Sequence, residues 1–129
     1  MFLTGLSTVV TGFTAKEAIS KYSPTGSLVT EMTLGVGNGS EKYPLTWVKV
    51  PVWDDLAQEA LDVIDKKGIA VEASGMLQIR LYEGKRGKAV AIELKNVREL
   101  KIYDRDGNLK KVLPSVQKEE MKKEIDAGH

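Results

Sequence analysis

The chain has 129 residues, enough for one domain with a hydrophobic core closed without staples, and a formal net charge of +1. It has no cysteine, which excludes disulfides and thiolate metal sites. Its single histidine, His129, is the last residue, so a histidine-based acid/base pair or triad in the core is excluded too. No apolar run of membrane-spanning length and no signal-peptide pattern are present, and the expected setting is the cytoplasm.

Phe2–Phe13 is rich in β-branched residues and broken by Gly5 and Gly12, which predicts a long, bent first strand. A turn follows at Ser23-Pro24-Thr25-Gly26. Alternation over Leu28–Val36 then predicts a second strand hairpinned to the first. GVGNGSEKYPLT, residues 35–46, reads as a loop.

In the strand that comes next, Val48, Val50 and Val52 share one face and Trp47, Lys49, Pro51 and Trp53 the other. The valines claim the core. Two indoles with an ammonium between them are thus left on the solvent side, a surface suited to stacking nucleobases. Asp54 or Asp55 is expected to cap a helix whose apolar stripe is Leu56, Ala60, Leu61 and Ile64, with Lys66-Lys67-Gly68 as its stop.

Ile69–Tyr82 reads as a long strand bent at Gly75, with Leu77, Ile79 and Leu81 inward and Gln78, Arg80 and Tyr82 outward. A basic loop containing Lys85, Arg86 and Lys88 leads back into Ala89–Val97, where Val90, Ile92 and Leu94 are expected inward. Residues 78–101 hold seven cations against three acids, whereas 54–67 hold five acids against two lysines. That asymmetry predicts a basic footprint on one face. Asp106-Gly107 marks a tight turn and allows an extra C-terminal hairpin; aligned as a calcium loop, this segment would put Leu113 where the bidentate acid belongs.

Three strands, a helix and two strands, with long bent members, describe an all-β protein. The architecture is a five-stranded OB-fold (oligonucleotide/oligosaccharide-binding) barrel with one helix between the third and fourth strands. Residues 1–103 are expected to form this domain, and 104–129 the C-terminal hairpin and charged tail.

The order and spacing of several stretches resemble the bacterial single-stranded DNA-binding proteins. These are Tyr22-Ser-Pro-Thr-Gly26 with the strand Val29–Val36, Thr46-Trp47-Val48-Lys49-Val50 leading to Trp53, Leu56-Ala57, Lys67-Gly68, and Val71 to Leu77 with Arg80 and Tyr82. The resemblance runs over about residues 3–103. It implies a non-catalytic protein that binds single-stranded DNA without strong sequence preference, in replication, repair and recombination at the nucleoid, as a homo-oligomer, usually a tetramer. Cofactors and metals are not expected. By the same resemblance Trp47, Trp53 and Tyr82 would stack on bases, Tyr43 would stand in for a loop tryptophan, and Lys49 and Arg80 would lie near phosphate. Lys85, Arg86 and Lys88 read as an electrostatic finger on the same strand. Glu72 stands where relatives tend to have an aromatic. The family's acidic tip is not found after residue 113, so recruitment of repair proteins by that route is not expected. Alternatives are an OB-fold protein-interaction module, such as a replication-restart accessory factor, and RNA binding by the same face.

Overall fold

The computed structural model describes residues 4–37, 39, 41–42 and 45–115. Their order is β1 (Leu6–Thr14), β2 (Ile19–Tyr22), β3 (Leu28–Gly37), β4 (Leu45–Trp53), α1 (Asp54–Val63), β5 (Ala70–Gly84), β6 (Gly87–Tyr103) and β7 (Leu109–Leu113). Five strands close a ring. β1 pairs β5, β5 pairs β6, β6 meets β4 in parallel at Lys49 and Glu93, β4 pairs β3, and β3 returns to β1 at Phe13↔Gly35 and Thr14↔Leu34. β2 and β7 extend the sheet from β3 and β6.

Closure depends on a close approach: a Cβ on Gly12 would lie 2.5 Å from the Gly35 carbonyl oxygen, so any side chain there pushes β1 off β3. The inward faces of β3, β4 and β5 supply Met32 and Leu34, Val48, Val50 and Val52, and Val71 and Ala73; β6 adds Leu94, Leu100 and Ile102, all buried. Helix α1 seats Leu56, Ala57 and Ala60 against this core, with Ile64 just beyond its end. The buried Thr30 hydroxyl donates to the Ala57 carbonyl at 2.7 Å and fixes the helix on β3. The barrel with its one helix is thus the architecture the alternation predicts.

Several local expectations are corrected. The first strand begins at Leu6, and the partner of β3 along most of its N-terminal half is the short β2, with β1 touching β3 only at the closure. Asp54 and Asp55 do not cap α1. The chain passes from β4 into the helix without a loop, so the cap position falls on Trp53, whose backbone is extended and whose side chain makes no capping bond. Asp54 takes up the turn at φ 56°, and both carboxylates stay in the first turn, where the macrodipole favours them. The helix ends at Val63, before Lys66-Lys67-Gly68. That turn is held instead by buried Thr14, whose hydroxyl donates to the Lys66 carbonyl at 2.9 Å and accepts from the Ile69 N–H at 3.0 Å, while Gly68 N–H donates to the Thr14 carbonyl.

The C-terminal hairpin is present as β6 and β7. Asp104 Oδ1 accepts from the N–H groups of Asp106 and Asn108, each at 2.9 Å, which makes the segment an Asp-nucleated turn. Leu113 is fully buried in the barrel core, so β7 packs with the barrel.

Candidate functional site

The outer face of β4 presents Trp47 at 55% and Trp53 at 48% exposure, with exposed Lys49 between them, while the valines are spent on the core. On β3, Gly35 lies beside Trp47, Thr33 beside Lys49 and Val29 beside Trp53. A Cβ built on Gly35 would fall 3.0 Å from the Trp47 ring, so the bare glycine is the bed on which that indole lies.

Trp47, Lys49, Trp53, Arg80 and Tyr82 come to one curved face, but β6 runs between β4 and β5: Glu93 faces Lys49 on one side and Gln78 on the other. Arg80 and Tyr82 stand opposite Ala91 and Ala89, whose small side chains leave both clear, and Tyr82 is 49% exposed. Lys85 and Arg86 form a two-residue turn between the paired Gly84 and Gly87, with Lys88 immediately after. Among the described residues the ion pairs are Lys21–Glu31 and Lys101–Glu99, so these five cations remain uncommitted. Tyr43 lies outside the described residues.

The inward reading of Ile79, Leu81 and Val90 is overturned. β1 last covers β5 at Leu6↔Leu77, and β4 meets β6 only at Glu93, so residues 78–92 leave the barrel as a two-stranded arm. Alternation persists there without a layer to bury it. Ile79, Leu81 and Val90 are exposed, Leu77 and Ile92 half-buried, and only Leu94 is buried.

Glu72 does not reach the tryptophan face. It accepts a hydrogen bond from the Tyr103 hydroxyl at 2.6 Å, in a separate groove that also holds Phe13 and Lys66. That hydrogen bond, followed by burial and the charges of Glu72 and Glu99, raises the Tyr103 pKa above its ordinary value. Sequence reasoning missed β2 and with it Tyr22, 74% exposed at the rim of a cleft shared with Trp53; the Ser23-Pro24-Thr25-Gly26 turn just after it was the available signal. Among the described residues no cluster of three or more His, Cys, Asp or Glu could hold a metal, and no helix is long and apolar enough to cross a membrane.

Residues 6–102 match the Single-strand binding protein family, a span that takes in the barrel, the tryptophan face and the arm. The chain belongs to this family. It is similar to Single-stranded DNA-binding protein 3 of Listeria innocua serovar 6a, with 31% identity over 88 residues covering 65% of this chain and 54% of the relative. The chain thus spans about half the length of the curated relative it matches. Among solved structures it resembles the small single-stranded DNA-binding protein from Streptomyces coelicolor. The TM-score is 0.62 and the identity 13%, over 82% of this chain and 100% of that one. At that identity the likeness is one of fold, and the fold is the OB barrel of this family.

Proposed function

We propose that this protein binds single-stranded DNA without strong sequence preference and shields it during replication, repair and recombination, with no catalytic step. The observation that carries the reading is the pair of half-exposed indoles, Trp47 and Trp53, on the solvent side of a strand whose valines already fill the core. Every base offers a π-face, so stacking there tolerates any sequence and contributes about 1–3 kcal/mol per base. Trp47, Trp53 and Tyr82 are the stacking rings, with Tyr43 assigned beside them by family resemblance; Lys49, Arg80, Lys85, Arg86 and Lys88 meet phosphates. The DNA-binding unit is residues 1–103, with β7 packed onto it through Leu113, acting on the nucleoid in the cytoplasm.

The protein acts as a homo-oligomer, a tetramer by the habit of the family. Exposed Val9 on β1, and Ile79, Leu81 and Val90 on the arm, support assembly, because they are apolar surface outside the tryptophan face. Light scattering should return four times the chain mass of 14.2 kDa. For DNA, fluorescence titrated with an oligo-dT is the test. Strong quenching, with a log affinity falling against log salt by roughly 0.7 per phosphate neutralised, supports the reading. An unquenched signal at low salt sinks it.

A further inference from the structure

The strand register sets five residues in one row: Trp47 on β4 lies beside Gly35 on β3, Gly35 beside Phe13 on β1, Phe13 beside Ala70 on β5, and Ala70 beside Tyr103 on β6. Residues paired in this way share a face of the sheet. Three rings thus alternate with residues too small to separate them. Phe13 is the most exposed of the three at 61%, and its chain neighbours Gly12 and Thr14 are buried, so the phenyl stands outward where β1 closes on β3. Adjacent strands lie about 4.8 Å apart, which puts the backbones carrying Phe13 and Trp47 roughly 10 Å apart. The Trp47 ring reaches into that gap, since a Cβ on Gly35 would fall 3.0 Å from its Cζ3 and 3.6 Å from its Cε3.

Cations stand on the other side of Phe13. Thr14, the next residue, holds the Lys66-Lys67-Gly68 turn through its hydroxyl and carbonyl, and both lysines line the groove beside Phe13. They are exposed, and neither joins an ion pair among the described residues. Acids bound this place on two sides. Asp62 and Asp65, on and just after α1, line the groove at one end, and Glu72 and Asp104 line it around Tyr103, so a phosphate is favoured at the lysine turn and disfavoured beyond it.

We propose that Phe13 is a further stacking ring, over which a single strand leaves Trp47 and passes to the Lys66-Lys67 turn. The proposal rests on the single-strand reading above and lengthens the path, from the tryptophan strand across the barrel's closure onto β1. A phenyl face takes any base, so the added contact brings no sequence preference.

The test moves the reporter to the site. A variant carrying Trp47→Phe, Trp53→Phe and Phe13→Trp keeps a ring at each position and has its only indole at 13. That indole should be quenched by a labelled oligo-dT of about 16 nucleotides, the upper end of the site size for one such barrel, with binding followed independently by anisotropy of the label. An indole that stays unquenched while anisotropy reports binding overturns the proposal. Phe13→Leu, the only change in a second variant, keeps the apolar bulk and removes the ring. It should weaken binding about 5- to 150-fold, the range for one lost stack, with the denaturation midpoint and light-scattering mass of the wild type. A loss under about twofold, below the weakest stack, overturns the proposal, and so does a smaller mass, which would assign Phe13 to a subunit contact. Lys66→Ala with Lys67→Ala should flatten the slope of log affinity against log salt by about 1.4, at 0.7 per phosphate; an unchanged slope takes the turn off the path. Wild-type protein that binds no oligo-dT refutes the single-strand reading itself, whereas binding with the indole at 13 unquenched refutes only the path over Phe13.

Discussion

Trp47→Ala and Trp53→Ala should each weaken single-strand binding about 5- to 150-fold, the range that loss of one base–ring stack of about 1–3 kcal/mol gives. Their effect on folding is bounded by exposure. Trp47 is 55% and Trp53 48% exposed, so truncation removes burial of roughly 100 Å² per indole, at most about 2–3 kcal/mol by area. The chain has only two tryptophans, so each variant leaves a single indole as an internal reporter. Urea titration first establishes that each variant is folded, and an oligo-dT titration then follows the remaining fluorophore. In Trp47→Ala the Trp53 signal should still be quenched, with the midpoint shifted to higher DNA concentration, and the converse should hold for Trp53→Ala. Affinity that falls less than about twofold in both folded variants, below the weakest stacking contribution, would refute the assignment of this face to bases.

Changing Lys85, Arg86 and Lys88 together to alanine should flatten the slope of log affinity against log salt by about 2, close to 0.7 for each lost phosphate contact. Thermal stability should stay put, since all three side chains are exposed; an unchanged slope would remove the arm tip from the DNA path. Gly12→Ala should destabilise the fold by more than about 2 kcal/mol, because its Cβ would sit 2.5 Å from the Gly35 carbonyl oxygen where the barrel closes, and a denaturant midpoint equal to wild type would contradict that geometry. The Tyr103 pKa is raised chiefly by its hydrogen bond to Glu72, so the stabilisation it brings is complete below the ordinary tyrosine pKa and is lost as pH rises through the folded value. Glu72→Gln should therefore bring one tyrosine's absorbance titration down toward its ordinary pKa, and a titration curve identical to wild type would show that the bond does not form in solution.

Much of the site was legible in the order of residues. Val48, Val50 and Val52 alternate with Trp47, Lys49, Pro51 and Trp53 without a break, and a period of two assigns faces before any coordinates exist. The helix was legible by its apolar stripe, though not by its caps, because capping depends on whether a loop residue is available between strand and helix. Here none is, and Trp53 fills that position. The C-terminal turn was legible because Asp104 bonds to backbone only a few residues away.

Alternation by itself determined which side chains share a face, since each strand's pleat is a local property of the backbone. Whether a face is covered was decided by tertiary structure alone. Leu77, Ile79 and Leu81 carry the same local signal as Val48 to Val52, yet two of them stand in water, because β1 and β4 stop short of the arm. The placing of β6 between β4 and β5, which sets Glu93 beside Lys49, is equally a matter of closure. Strand pairing over long sequence separations follows from how a barrel satisfies its edges, and that condition belongs to the ring of strands as a whole.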